Sequence, residues 1–219
     1  MKLFYYLYQL HLAQLFCRTL KMNAGVILAA GDSSRMGFPK QLAQVKDKPL
    51  LEQVIEKVNE HFKHSSVVLG SDNETITEKI NFFNSDILIN ENWSEGIVSS
   101  MRTALFFYQT QKDVDNIVFF LGDQPEIKTS VIDSIINTKT DGDEILISQY
   151  RYKHDFPILV PRMFWNKLEL LTQEDSPEFE NAVYQDLDLI NYFLSSEIKV
   201  KNVNFNFLSP KDYDEEKDF

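Results

Sequence analysis

The sequence is poor in the residues that would build several familiar sites. Cys17 is its only cysteine, which excludes an internal disulfide, a cysteine-based zinc site and a CxxC redox motif. A reducing cytoplasm is the expected setting. The four histidines, His11, His61, His64 and His154, are scattered, and His61 and His64 fall where a helix is expected to end. Positive charge is in deficit: the formal net charge is −11. No basic face is available for a nucleic-acid backbone, so nucleic acid is not an expected partner. A long apolar run is missing too. Residues 1–21 carry Leu3 to Tyr8, but Gln9, His11, Gln14 and Arg18 interrupt them, so this stretch is too short and broken to span a membrane. It has no A-x-A-like cleavage site, and it reads as an N-terminal extension with translation expected to begin at Met22.

The 219 residues suffice for one α/β domain with a substantial core. The expected division is an extension over 1–21, one domain over 22–213 and a solvated acidic tail over 214–219. Asp212 also falls in the charge run read as solvated. Val26 to Ala29 is a short apolar run ending near glycine, which reads as a buried parallel strand. Ser66 to Gly70 reads as a second buried strand, Asp86 to Ile89, Asn116 to Leu121, Glu144 to Ser148 and Ile198 to Val203 read as further strands, and Asp155 to Val160 leads into an apolar one. Helices are expected after Pro49, over Glu74 to Phe83, from Ser99-Ser100, over Thr129 to Asn137 with Thr129 as N-cap, from Ser176-Pro177, and over Leu187 to Leu194. Alternation of strand and helix in short steps implies right-handed crossovers and a mostly parallel sheet. The fold class is therefore α/β, a three-layer α/β/α sandwich with a Rossmann-like sheet. Asn116 to Leu121, the most apolar run, is expected at its centre.

Two loops carry the chemistry. After the first strand the chain reads Ala30-Gly31-Asp32-Ser33-Ser34-Arg35-Met36-Gly37-Phe38-Pro39-Lys40. Small residues and glycine let backbone N–H groups converge on phosphate oxygens, and Arg35 and Lys40 add positive charge. The loop is neither G-x-x-x-x-G-K-[ST] nor G-x-G-x-x-G. The second loop, Gly122-Asp123-Gln124-Pro125, puts a carboxylate at the end of the expected central strand, where open α/β sheets bind ligands.

Leu28-Ala29-Ala30-Gly31-x-Ser33-x-Arg35-Met36-Gly37-x-Pro39-Lys40 resembles the signature loop of nucleotidyltransferases with a glycosyltransferase-A-like fold. Together with Gly122-Asp123-Gln124-Pro125, it resembles the molybdopterin nucleotidyltransferase family, on the molybdenum cofactor cytidylyltransferase side. The guanylyl branch usually reads Leu-Ala-Gly-Gly and ends Gly-x-Asp-Lys, whereas this chain has Ala30 and Pro39. The resemblance implies a Mg²⁺-dependent transfer of a nucleoside monophosphate, from CTP in preference to GTP, onto a phosphate-bearing acceptor such as molybdopterin. Pyrophosphate is released. A molybdoenzyme or its chaperone is an implied partner, and no membrane is.

In that reading Lys40, Arg35 and Asp123 are catalytic, Asp123 also binding the metal. Leu28, Ala29, Ala30, Gly31, Ser33, Ser34 and Gly37 contact nucleotide, with Gly96, Ser99 and Ser100 at base or ribose. The family's closing Asp-Ile-Asp-Thr-Pro element resembles Asn204 to Pro210; its second metal position falls on Leu208 without a gap and on Asn206 with two inserted residues. Asn206 is the candidate second ligand. Where the cytidylyl branch commonly carries Gly-His-Pro, this chain has Asp155-Phe156-Pro157. Two other readings stay open: a sugar- or polyol-phosphate nucleotidyltransferase, and a nucleotide-binding chaperone or sensor without turnover.

Overall fold

The computed structural model describes residues 22–33, 36–170, 189–214 and 218. The expected extension over 1–21 and the helix at Ser176-Pro177 lie outside them. Among the described residues a seven-stranded sheet is built on β1 (Met22–Ala29), β4 (His64–Leu69), β5 (Asp86–Ile89), β6 (Val114–Leu121), β7 (Ile145–Gln149), β8 (His154–Pro161) and β9 (Val200–Asn204). Its order is β5-β4-β1-β6-β8-β7-β9, so β6 is central as expected. A small antiparallel pair, β2 (Gln44–Val45) and β3 (Lys48–Pro49), lies beside it.

The strands β5, β4, β1 and β6 run parallel. β8 runs antiparallel to both β6 and β7, while β7 and β9 are parallel. One reversed strand has a consequence for the site. The start of β8, at His154 and Asp155, lies at the same edge of the sheet as the carboxyl ends of β6 and β7.

Period-two side chains explain the three layers. In β1, Val26 and Leu28 enter one core and Ile27 and Ala29 the other; in β6, Phe119 and Phe120 divide likewise. On the second face lie α1 (Leu50–His61), which buries Leu50, Leu51, Val54, Ile55 and Val58, and α4 (Thr129–Asn137), which buries Val131, Ile132 and Ile135. On the first face lie α3 (Ile97–Gln109), with Met101, Ala104, Leu105 and Tyr108 inward, and the short α5 (Trp165–Leu170) and α6 (Leu189–Ser195). These are stripes at helical spacing, stabilised by apolar burial on the sheet.

Three helical expectations need correction. Between the sheet's parallel strands, α2 spans only Asn73–Lys79 rather than reaching Phe83. Ile80 turns extended, and Phe83 takes a positive φ of 51° that no helix accepts. Thr129 is the first residue of α4, not its cap; Lys128 takes that place without a side-chain cap. Helix α3 opens at Ile97, behind the positive φ of Gly96, so Ser99 and Ser100 lie within its first turn. No helix among the described residues is long and apolar enough to cross a membrane.

Candidate active site

Adjacent parallel strands β1 and β6 deliver the two loops to one edge of the sheet. The Gly122 N–H donates to Leu28 O at 2.9 Å. A β-carbon at Gly122 would come within 2.8 Å of the Ala29 β-carbon and 3.2 Å of Leu28 O. Only glycine lets the chain pass this close, and the next residue, Asp123, then faces the first loop.

That loop is tied from behind. Leu28 O takes the Gly122 N–H, Ala30 O takes the Ser71 N–H at 3.1 Å, and the buried Gln41 amide donates to Ala29 O at 3.0 Å and Gly31 O at 3.3 Å. Four carbonyls that would repel an anion are thus occupied by protein donors. Ser33 Oγ accepts the Lys40 N–H at 2.7 Å and donates to Gln41 Oε1 at 3.4 Å, which closes the loop at its base. A β-carbon at Gly31 or Gly37 would meet nothing within 4 Å, so the far side is an open cradle. Leu28, Ala29 and Ala30 are buried. Ser34 and Arg35 lie outside the described residues.

The loops meet at an ion pair: Lys40 Nζ stands 2.8 Å from Asp123 Oδ2 and 2.7 Å from Asp214 Oδ1. The second contact corrects the reading of the C-terminal segment as solvated. Asp212 Oδ1 accepts the Gln124 amide at 2.8 Å, the Tyr213 N–H donates to Asp123 O at 3.2 Å, and the Tyr213 ring is buried with Val45 and Leu50. Residues 212–214 are a strap over the Asp123 loop. Behind that loop, Lys57 of α1 donates to Pro125 O at 2.5 Å and Ile127 O at 3.0 Å, with its pKa lowered by burial and by Lys46.

Electrostatically the site is one cation among carboxylates. Burial pushes the Asp123 carboxyl up; Lys40 pulls it down, and Asp212 and Asp214 push it up again. Lys40 loses hydration by burial, but Asp123 and Asp214 more than offset this and hold its ammonium above the usual range. Asp123 Oδ1 is shut off from solvent and has no hydrogen-bond partner. An orphaned carboxylate oxygen in a surplus of negative charge fits a hard divalent cation. Among the described residues no three His, Cys, Asp or Glu side chains could hold such an ion alone.

The hydroxyls of the α3 serines are bonded within the protein. Ser99 and Ser100 are buried, and both hydroxyls accept from Asn90 Nδ2, at 2.8 and 3.0 Å. Ser99 Oγ is also bonded to Asn92 O and Gly96 O, each at 2.9 Å. They frame the loop between β5 and α3, whereas Gly96 faces open space. Asn206, just beyond β9, is exposed, and Leu208 is 65% exposed. The carboxylates brought to Lys40 and Gln124 are instead Asp214 and Asp212.

Beside this lies a second group. Asp155, 6% exposed, accepts the Phe156 N–H at 2.8 Å and pairs with Lys153 at 2.7 Å; Lys153 also stands 3.8 Å from Asp212. Gln124 Nε2 is 3.5 Å from either Asp155 oxygen. His154 Nε2 is buried without a partner. Sequence reasoning missed Gln41, Lys57, Asp212 and Asp214. Only Gln41, beside the motif, left a signal; the others meet the site through long-range contacts.

Comparison with known proteins gives the family and supports the fold. Residues 25–187 match the family described as MobA-like NTP transferase domain. The chain is 30% identical over 168 residues to the bifunctional protein GlmU of Bartonella bacilliformis, covering 72% of this chain and 36% of that protein. It is 28% identical over 112 residues to a protein of Aquifex aeolicus named "Probable molybdenum cofactor guanylyltransferase", 51% of each chain. It thus spans at most about half the length of these two relatives. Among solved structures, a homologue of Mycobacterium tuberculosis Rv0371c from Mycobacterium sp. strain JC1 superposes with a TM-score of 0.73 at 29% identity, over 90% of this chain and 92% of that one. The chain belongs to the MobA-like NTP transferase domain family, the molybdopterin nucleotidyltransferases that its two loops resemble.

Proposed function

We propose that this protein is a metal-dependent nucleotidyltransferase that moves a nucleoside monophosphate from a nucleoside triphosphate to a phosphate-bearing acceptor such as molybdopterin. The observation that carries the reading is the meeting of Lys40 and Asp123 at the mouth of an open, glycine-lined loop whose carbonyls from Leu28 to Gly31 accept from protein donors. An acceptor phosphate has a second pKa of about 6, so its oxygen is already anionic at neutral pH. That oxygen attacks the α-phosphorus; the bond to the oxygen bridging to the β-phosphorus breaks, and pyrophosphate leaves with the electron pair. No general base is needed. The chain must align two anions and neutralise them.

In this reading the backbone from Ala30 to Gly37, with Ser33 and Ser34, cradles the triphosphate, and Lys40 and Arg35 take up its charge. Asp123 holds Mg²⁺, which when bound stabilises charge on the phosphoryl oxygens. The loop framed by Asn90, Ser99 and Ser100, with Gly96 at its end, borders the nucleoside. We favour CTP because Ala30 and Pro39 follow the cytidylyl pattern; the Aquifex relative's name points to GTP instead.

The test is a thermal-unfolding panel of CTP, GTP, ATP and UTP, each with and without Mg²⁺, on the native protein and Asp123→Ala. A ligand at a hundred times its Kd adds about 2.7 kcal/mol, a shift of several degrees. A CTP response that needs metal and is lost in Asp123→Ala supports the reading. A GTP preference overturns the choice of base, and silence toward all four nucleotides overturns the enzyme.

A further inference from the structure

The Lys40 ammonium stands between two carboxylates, 2.8 Å from Asp123 and 2.7 Å from Asp214. One follows the central strand; the other returns with the strap, 174 residues beyond Lys40 in the chain. The element expected to bring a second metal ligand carries Leu208, whose side chain cannot ligate. We propose that Asp214 is the second carboxylate ligand of the divalent cation, and that Lys40 holds the cation's place until nucleotide and metal arrive together. The inference rests on the nucleotidyltransferase reading above and adds a residue to it.

Three observations support it. Asp123 keeps an oxygen, Oδ1, that is buried and unpartnered although its other oxygen is paired. Asp214 is free to serve where Asp212 is not. The Asp212 carboxylate is held by the Gln124 amide and Lys153, while the Asp214 side chain is bonded to Lys40 and is 48% exposed. Charge supplies the third. If a triphosphate draws Lys40 away, two carboxylates lose the counter-charge that they share among the described residues, in a partly desolvated place, which is costly. A divalent cation restores the balance and leaves the ammonium to the phosphates. Metal and nucleotide must then bind with positive coupling, each raising the affinity for the other.

Titration of the whole protein with Mn²⁺, followed by electron paramagnetic resonance with and without CTP or GTP, tests this without turnover. Asp214→Asn should weaken Mn²⁺ on the order of tenfold and reduce its coupling to nucleotide. Lys40→Gln should do the opposite to metal alone, tightening Mn²⁺ because a competing cation is gone, while weakening nucleotide. Asp143→Asn, the same charge change at an exposed pair with Lys199, should leave both unchanged, and thermal unfolding in metal-free buffer checks that each variant is folded. If Asp123→Asn loses Mn²⁺ and Asp214→Asn keeps native affinity, the role of Asp214 is overturned and the enzyme reading stands. If Asp123→Asn also keeps it, both fall. If Asp214→Asn binds metal-free nucleotide more tightly at unchanged Mn²⁺ affinity, Asp214 only competes with phosphate for Lys40, and the ligand role is overturned.

Discussion

The two halves of the sheet present different chemistry at the same edge. On the parallel half, β1 and β6 end in small residues and glycines, the carbonyls are tied back, and the charged residues described are Asp32, Lys40 and Asp123. On the other half, Lys153 leads into the reversed β8, which begins at His154 and Asp155, and the strap adds Asp212, while its Asp214 reaches across to Lys40. The first half is shaped to receive an anion on backbone and ammonium groups. The second is a network of carboxylates and amides already bonded to one another. Under the function proposed above, the nucleotide donor is assigned to the first half and the acceptor to the second.

The largest effect expected on the donor half is electrostatic. Asp123→Ala or Lys40→Ala should lower kcat by about 100-fold or more, since each removes a charge aimed at the reacting phosphates. Lys40→Ala should also lower the unfolding temperature, because the largely buried Asp123 then stands beside Asp212 and Asp214 without its counter-charge. Steady-state kinetics with saturating acceptor measures the first, calorimetry the second. An Asp123→Ala enzyme within tenfold of the native rate would break the comparison at its root.

A smaller and different effect is expected at Gly70, where β4 leaves the sheet beside the first loop. A β-carbon there would lie 2.4 Å from the Trp93 β-carbon and 2.6 Å from Ala30 O. The oxygen belongs to the backbone and cannot rotate away. Gly70→Ala should therefore cost about 1–3 kcal/mol and displace the donor loop. Nucleotide affinity should fall with stability, while acceptor KM measured at saturating donor stays near native. Loss of acceptor binding instead would mean that the halves are not separate.

These residues also show what could be read in the sequence. β1 and β6 were legible because buried parallel strands are continuous apolar runs, and each runs straight into a glycine-bearing motif. The central place of β6 followed from its apolarity alone. The strap was not legible. From Asp212 onward the chain is charged, which locally means solvation, and its partners Lys40 and Gln124 are 174 and 88 residues away. The same limit applied to Ser99 and Ser100, where position beside a helix start suggested ligand contact. Asn90 takes their hydroxyls, and nothing local in the sequence announces that pairing. The reversal of β8 was likewise hidden, because an apolar run does not state its direction.

Lys57 separates positioning from charge. Its ammonium donates to Pro125 O and Ile127 O and anchors the loop that carries Asp123. Lys57→Met keeps the aliphatic stem and removes two charge-assisted hydrogen bonds, which should destabilise the protein by about 1–2 kcal/mol. The metal-dependent nucleotide response should weaken but persist, because Asp123 keeps its own pairing. A complete loss of metal response in a folded Lys57→Met protein would assign the lysine a more direct role.

The smallest effect is expected from Lys153, and it tests the acceptor half most directly. Its ammonium is half exposed and pairs with the buried Asp155 and, at longer range, Asp212; a buried acceptor that loses one partner costs about 1 kcal/mol. Lys153→Met should lower the unfolding temperature only modestly, because Asp155 keeps the Phe156 N–H. It does, however, expose the Asp155 carboxylate, 6% exposed, to any anion approaching from this side. A phosphate-bearing acceptor then meets an unscreened negative charge, while the nucleotide on the other half does not. The expected outcome is an acceptor KM raised by less than about tenfold, with nucleotide affinity and kcat at saturation unchanged and the effect fading as salt is added. If nucleotide affinity falls instead and acceptor KM holds, the assignment of donor and acceptor to the two halves is reversed.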